Sequence, residues 1–386
     1  MAWKKVKVEE QRKKFIYGIQ EGINFSNLCL QFGISRPTGY KWLKRFEEEG
    51  LEGLCDRSKA PHSHTNIIKE YSEIKILEMR LKFKKLGPKK IYSKLVEFDP
   101  SMNWPCPSSI GNILDRNGLT VRRKIRKRVA ANTPSAFNGN QPNEVWCMDF
   151  KGTLRTVDGT GYDPFTLSDS SSRFLIKCQI LMRNNFKYVW STLDTAFHEY
   201  GLPRHILSDN GPPFATIGAG RLSRLSINLV KAGVYPLWIT PGKPQQNGRH
   251  ERMHGTLEYE LEEAHSFMEL KNKLKEFQEY YNFERPHEAL GQVAPGKIYI
   301  PSERKWNGKL QSPEYSQEYE IRKVQKCGTI NYKGKKIFIG ETFYQENIGL
   351  LEMDNGLGVY FGPILLGIIN ENNKLEFKRI KSIKNP

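Results

Sequence analysis

An aspartate set inside an apolar strand must be neutralised by something, because an unpaired buried charge costs more than the strand gains. The run Val145-Trp146-Cys147-Met148-Asp149-Phe150 reads as such a strand, with Asp149 near its end. A second acid, Asp209, follows the short apolar run 206–208 in Ser208-Asp209-Asn210-Gly211. A third, Glu251, follows the breaker-rich loop 241–248 and opens a helix. A divalent cation relieves several carboxylates at once, and Mg²⁺ prefers hard oxygen ligands. The pattern therefore predicts a Mg²⁺ site on Asp149, Asp209 and Glu251, open also to Mn²⁺. Two ions about 4 Å apart activate an attacking oxygen and stabilise the leaving one without a protein nucleophile. Taken singly, each acid also has the look of a turn cap or a first-turn capping residue.

Charge points to a polyanionic partner and says where it is met. The 386 residues carry 60 Lys and Arg against 42 Asp and Glu, a formal net charge of +18. Residues 1–136 hold 28 basic and 14 acidic side chains, and residues 137–300 hold 18 of each. The excess is thus mostly N-terminal, which predicts a nucleic-acid-binding arm on a neutral body. No segment reaches the roughly 20 apolar residues of a membrane helix. The basic start of the chain has no apolar run behind it, so no signal peptide is expected. Six cysteines, none in a C-x-x-C pair, fit a reducing cytoplasm rather than a disulfide framework.

The N-terminal arm reads as helix-turn-helix. Residues 9–50 predict three helices, the second capped near Ser26 and the third by Ser35, with Pro37 in its first turn. Trp42, Leu43 and Phe46 face inward, while Arg36, Thr38, Lys41 and Arg45 are the DNA-facing candidates. Residues 65–118 repeat the plan, with Ser109, Asn112 and Arg116 outward on the last helix and Gly118 closing it. The basic run Arg122, Arg123, Lys124, Arg126, Lys127 and Arg128 then opens a polar linker that suits a DNA backbone.

From Glu144 the pattern alternates strands and helices, which predicts an α/β domain on a central sheet. Residues 310–386 show only short strand-like runs and predict a small β-barrel. The expected divisions are a helix-turn-helix domain over 1–60 and a second over 61–120. A basic linker over 121–142, a catalytic core over 143–300 and a β-barrel over 310–386 follow.

The local words are more specific than the acids alone. Trp146-x-x-Asp149, Ser208-Asp209-Asn210-Gly211-x-x-Phe214 and Pro244-Gln245-Gln246-Asn247-Gly248-x-x-Glu251 occur in that order. Thr166-Leu167-Ser168-Asp169-Ser170 and Tyr281-Asn282-x-x-Arg285-Pro286-His287-x-x-Leu290 accompany them. On these residues the chain resembles bacterial insertion-sequence transposases with a retroviral-integrase-like core, over nearly its whole length. The resemblance implies a ribonuclease-H-like fold and a DDE triad of Asp149, Asp209 and Glu251. It implies cleavage at element ends and attack of a 3′-OH on target DNA by at least a dimer on paired ends. Lys243, Gln246, Asn247, Arg249, Arg252 and His254 become further DNA contacts.

The chain also departs from that family. Relatives usually carry basic residues four and seven positions after the catalytic Glu, where this chain has Gly255 and Glu258. A catalytically impaired DNA-binding regulator therefore stands as the alternative, and a nuclease that does not transpose as a third reading. A zinc-protease reading competes too, since His250-Glu251-Arg252-Met253-His254 is formally H-E-x-x-H. His62 and His64 form a weaker zinc pattern. Asp158, Asp163 and Asp169 read as turn or cap residues, and Trp190 and Trp238 as core.

Overall fold

The computed structural model describes residues 8–57, 68–120, 139–354, 356–370 and 374–376. The chain divides into two compact units, Met1–Ile68 and Lys69–Pro386. The first unit holds α1 (Val8–Gln20), α2 (Phe25–Gln31) and α3 (Arg36–Glu49). Phe15, Ile16, Leu28, Cys29 and Leu54 form its core, with Trp42, Leu43 and Phe46 packed against it. The cap of α2 is Asn24, two residues before the expected Ser26, its side chain accepting from the Ser26 and Asn27 amides. Ser35 caps α3 as expected, accepting from the Thr38 amide. Gly39 lies mid-helix because α3 crosses α2 closely: a Cβ there would stand 2.9 Å from both Cys29 Sγ and Phe25 Cζ.

The second unit opens with a three-helix cluster, α4 (Glu70–Lys82), α5 (Pro88–Phe98) and α6 (Pro107–Arg116). Ile76, Leu86, Ile91, Leu95, Ile110, Ile113 and Leu114 are buried within it. The basic run 122–128 and the His62 and His64 pattern lie outside the described residues.

The α/β domain follows as β1 (Val145–Phe150), β2 (Leu154–Arg155), β3 (Gly161–Tyr162), β4 (Pro164–Asp169), β5 (Leu175–Ile180), α7 (Phe186–Tyr200), β6 (His205–Ser208), α8 (Arg224–Lys231), β7 (Tyr235–Trp238), α9 (Gly248–Glu260) and α10 (Phe267–Glu279). The five-stranded sheet runs β5-β4-β1-β6-β7. Pairing is antiparallel from β5 to β1 and parallel from β1 to β7. Trp146, Met148, Phe165, Leu167 and Ile206 leave one face to pack with Val189, Leu193 and Phe197 of α7 and Leu225 and Leu229 of α8. On the other face, Leu175 and Cys178 of β5 pack with Met253 and Leu257 of α9 and Leu270, Leu274 and Phe277 of α10.

The C-terminal segment differs from the closed barrel expected of it. Strands β8 (Glu320–Lys323), β11 (Asn347–Met353), β12 (Gly356–Phe361), β13 (Ile364–Ile369) and β14 (Leu375–Glu376) form an open five-stranded sheet, ordered β14-β13-β12-β11-β8. The remaining β9 (Thr329–Tyr332) and β10 (Lys335–Phe338) pair only with each other. Both sheets bury one core that also takes Ala219, Leu222 and Ile227 from the α/β domain. Apolar area that closure would cover is covered by that domain instead.

The outer edge of β5 is capped by two side chains, Asn282 and Gln278. Asn282 Oδ1 accepts from the Leu175 amide at 2.8 Å, and its Nδ2 donates to the Leu175 carbonyl at 2.9 Å. Asn282→Ala leaves the Leu175 amide buried and unpaired, while Gln278 Nε2 still donates to the Leu175 carbonyl at 3.0 Å. A loss of about 1–3 kcal/mol in urea unfolding is expected, and an unchanged midpoint would show that water replaces the amide.

Candidate active site

Strand register brings two of the three acids together. In the parallel pair β1·β6, Val145 lies opposite His205 and Cys147 opposite Leu207. The same register carried two residues further sets Asp149 level with Asp209. Side chains alternate along a strand, so both acids leave the face that Val145, Cys147 and Leu207 occupy. Glu251 comes from α9, and α9 is fastened to that same face through β4, where Thr166 pairs with Asp149 and Ser168 with Cys147. Asp149 and Asp209 are half-buried, and Glu251 is exposed.

The fastening is a buried hydrogen-bonded cluster. Thr166 Oγ1 donates to the Asp149 carbonyl at 3.1 Å and lies 2.8 Å from His250 Nε2 and 2.7 Å from His254 Nε2. Ser168 Oγ lies 2.6 Å from His250 Nδ1. A carbonyl only accepts, so the single hydroxyl hydrogen of Thr166 goes to Asp149. Both histidines must then donate from Nε2, and Ser168 must donate to the bare Nδ1 of His250. Both rings are neutral in this wiring. Burial pushes the pKa of His250 well down and that of His254 to about 4.

This cluster excludes the zinc reading of H-E-x-x-H. Both nitrogens of His250 already have partners, and His254 Nε2 faces the same hydroxyl. Among the described residues, no group of three His, Cys, Asp or Glu side chains, the set Asp149, Asp209 and Glu251 included, is arranged as it stands to hold a metal ion.

Electrostatics couple the acids nonetheless. Burial, then the neighbouring charges of Asp209 and Glu251, push the Asp149 carboxyl up to about 7. Burial raises Asp209 as well. Asp149 Oδ1 accepts from the Phe150 amide at 2.8 Å, and Asp209 Oδ1 from the Gly211 amide at 3.2 Å. Their second oxygens have no partner among the described residues. Asp169 is different: buried at the end of β4, it accepts from the Asn143 and Ser172 amides and from Ser172 Oγ, a capping role.

The proposed DNA contacts separate by exposure. On α3, Arg36 and Lys41 are exposed and Thr38 and Arg45 half-buried, with the Arg45 guanidinium 5.0 Å over the Trp42 ring. Thr38 Oγ1 lies 2.8 Å from Ser35 Oγ within the cap. On α6, Asn112 and Arg116 are exposed, while Ser109 is half-buried against Cys106 Sγ at 3.3 Å. Around α9, Lys243 and Arg252 are exposed. Arg249 donates to the Ser170 carbonyl at 3.0 Å, and Gln246 accepts from the Thr240 amide at 2.6 Å. Two expectations fail: His254 is 8% exposed and turned into the cluster, and Asn247 is 5% exposed. Glu258 is exposed and lies 3.4 Å from Lys151, and Gly255 has open space where a side chain would stand.

Sequence reasoning gave Thr166 and Ser168 no role. Their signal was two same-face hydroxyls on an otherwise apolar strand. The motif 281–290 proves to be an anchor for α9 and β5. Arg285 pairs with Glu260 at the end of α9, both side chains at most 10% exposed, and Asn282 holds β5.

Family models match four stretches of the chain. Models described as "Integrase core domain" match residues 139–244 and 232–295. Models described as "Homeodomain-like domain" match residues 7–55 and 38–114. Residues 139–295 thus carry the likeness to the integrase core, and residues 7–114 the likeness to homeodomain-like domains. An uncharacterized 39.2 kDa protein of insertion element IS476 from Xanthomonas euvesicatoria is 25% identical over 58% of this chain and 63% of its own length. An uncharacterized 31.7 kDa protein of insertion element IS407 from Burkholderia multivorans is 27% identical over 47% of this chain and 64% of its own. The match thus spans less than two thirds of either relative. Among solved structures, a chain of the simian T-cell lymphotropic virus intasome aligns at 14% identity and a TM-score of 0.37, over 77% of this chain and 99% of that one. No described helix of this integrase-core chain is long and apolar enough to cross a membrane.

The neutral cluster predicts a pH dependence. A histidine whose folded pKa is depressed adds stability above its unfolded value of 6.5, and this is lost as pH falls from there toward the folded value of about 4 for His254. His254 alone should account for ~2–3 kcal/mol over that window. The check is urea unfolding from pH 7.5 to 4.5 for the wild type and His254→Gln, whose amide still donates to Thr166; equal pH slopes would rule the neutral ring out. Thr166→Val removes the acceptor of two buried N–H groups and should cost about 2–4 kcal/mol in the same titration, with Thr166→Ser restoring most of it.

Proposed function

We propose that this chain is a DNA transposase that binds element ends through its helix-turn-helix region, cleaves there and joins the 3′-OH ends to target DNA. Asp149, Asp209 and Glu251 are its carboxylate triad. The observation that carries this reading is the convergence of two strand acids in register with a helix acid pinned over the same sheet face. The donor chemistry fits a hard divalent cation: three carboxylates, two of them half-buried, with oxygens left over after their own backbone contacts. Mg²⁺ or Mn²⁺, two ions per site, would be held by these three side chains and would supply Lewis-acid activation of the phosphodiester.

The chain's own residues orient the reaction. The Thr166 cluster keeps α9, and with it Glu251, over the Asp149–Asp209 row. Lys243 and Arg252 are exposed beside the acids and meet phosphates, and Arg249 braces the loop after β4 through Ser170. Arg36, Lys41 and Arg45 on α3, with Asn112 and Arg116 on α6, read or hold the element end. The basic run 122–128 joins the end-binding region to the core. Joining two ends in one event calls for at least a dimer, acting in the cytoplasm. The domain limits proposed are 1–60, 61–120, 121–142, 143–300 and 310–386.

Asp149→Asn tests the triad. It should lower cleavage and joining of end-containing DNA in Mg²⁺ or Mn²⁺ by roughly 10²–10³-fold or more, a loss of several kcal/mol of transition-state stabilisation. End binding by gel shift should be unchanged. Full joining by the variant overturns the assignment. Specific end binding with no cleavage by the wild type favours the regulator instead.

A further inference from the structure

A second charged site lies where the integrase core meets the C-terminal sheet. The short turn Ala219–Arg221 is pressed between β13 and the end of β7. Gly220 and Arg221 are both left-handed, at φ 58° and 63°. At Gly220 only a glycine fits, because a Cβ would stand 2.7 Å from Leu366 Cδ2. Arg221 has no such freedom, and its left-handed backbone is held by the bonds around it. Its amide donates to the Gly218 carbonyl at 3.0 Å, and its carbonyl accepts from the Thr216 amide at 3.0 Å. A side chain kept in that region needs surroundings that over-determine it, and such positions cluster at ligand sites.

This turn sends the guanidinium over the Trp238 ring, 5.1 Å from its centroid. Arg221 Nη2 is buried and has no hydrogen-bond partner. No carboxylate among the described residues pairs with it. The one acid on the cavity wall, Glu376, is turned to Asn370, its Oε1 accepting from Nδ2 at 2.6 Å. A cavity of about 430 Å³ opens at this point, its far wall formed by Leu366 and Gly367. A guanidinium over an aromatic ring, with an unused donor and no paired carboxylate among the described residues, has the chemistry that takes a phosphate oxygen.

We propose that Arg221 and Trp238 form a binding site for a phosphate of the DNA backbone. Trp238 lies in register with Ser208, the residue before Asp209, and β7 is the edge strand of the sheet. DNA laid along the carboxylate row overhangs that edge and brings a phosphate to the cavity. The proposal rests on the DNA-acting function given above.

Salt dependence tests it on the full chain, with a fluorescein-labelled random-sequence duplex and the matching single strand. Arg221→Gln should make log affinity against log salt shallower by roughly 0.9 on the duplex or roughly 0.7 on the single strand, the loss of one contact. Arg221→Lys should keep the wild-type slope and bind several-fold more weakly, since the charge stays and the planar fork goes. An Arg221→Gln slope equal to wild type overturns the site while leaving DNA binding intact. If that variant does not fold, Arg221→Lys decides: a lowered melting temperature with unchanged affinity assigns Arg221 to packing alone and overturns the proposal. Inorganic phosphate that protects the wild type but not the variant from thermal unfolding, with unchanged DNA slopes, assigns the site to small anions and overturns the DNA version. A wild type that binds neither probe removes the functional reading and this site with it.

Discussion

The hydroxyl of Thr166 has one hydrogen and two lone pairs, and all three are committed. Its hydrogen goes to the Asp149 carbonyl on the neighbouring strand, and its lone pairs take the Nε2 hydrogens of His250 and His254. With that hydrogen on the carbonyl and burial keeping both rings neutral, Ser168 donates to His250. Net gains per buried hydrogen bond are only about 1 kcal/mol. What fixes the helix is the greater penalty of any other placement, which strands buried N–H groups against an apolar sheet. The helix that carries Glu251 is thus set on the strand that carries Asp149 by contacts that involve no charge.

Neutral fastening matters here because the acids nearby are already crowded. Burial and two like charges hold Asp149 near 7, and a positively charged histidine under the same strand would alter that field directly. The remaining anchors of α9 stand away from the acids. At its far end Glu260 meets Arg285, and near its start Arg249 reaches the Ser170 carbonyl. Between them the outward face is left with Glu251, Arg252, Gly255 and Glu258, and Lys151 stands beside Glu258. The acidic residue that looked hostile to phosphate is therefore partly offset by a lysine from the loop after β1.

Much of this was legible because the signals were local. The apolar runs leading to Asp149 and Asp209 marked two strands of the sheet, and Ser35 and Pro37 marked the start of α3. The failures were of pairing and direction. His250 and His254 at i, i+4 share a helix face, but spacing does not say whether that face meets solvent, zinc or a strand more than 80 residues away. That is why His254 was placed on the DNA side. Helix α10 carried a capping signal, Ser266 accepting from the Glu269 amide and Glu269 from His265, with Leu270, Leu274 and Phe277 buried behind it. The alternation of strands and helices expected after Glu144 did not single it out. In the C-terminal segment most strands were readable, but closure depends on which strands pair, and shared burial with Ala219, Leu222 and Ile227 made closure unnecessary.

The neutral sum over 137–300 conceals a separation of unpaired charge. Arg285 and Glu260 cancel inside the fold, and Lys177 and Glu199 cancel near the surface. Two places on the core carry charge of opposite sign. Asp149, Asp209 and Glu251 gather at the end of β1 and β6, and Arg221 stands beyond β7 with an unused donor. A polyanion approaching the core is repelled by the first group unless a cation intervenes and is attracted by the second. On the DNA-acting reading proposed above, the basic excess of the N-terminal third draws the chain to DNA, and this local asymmetry bears on where along the core a strand rests. Net charge, summed over the domain, is blind to it.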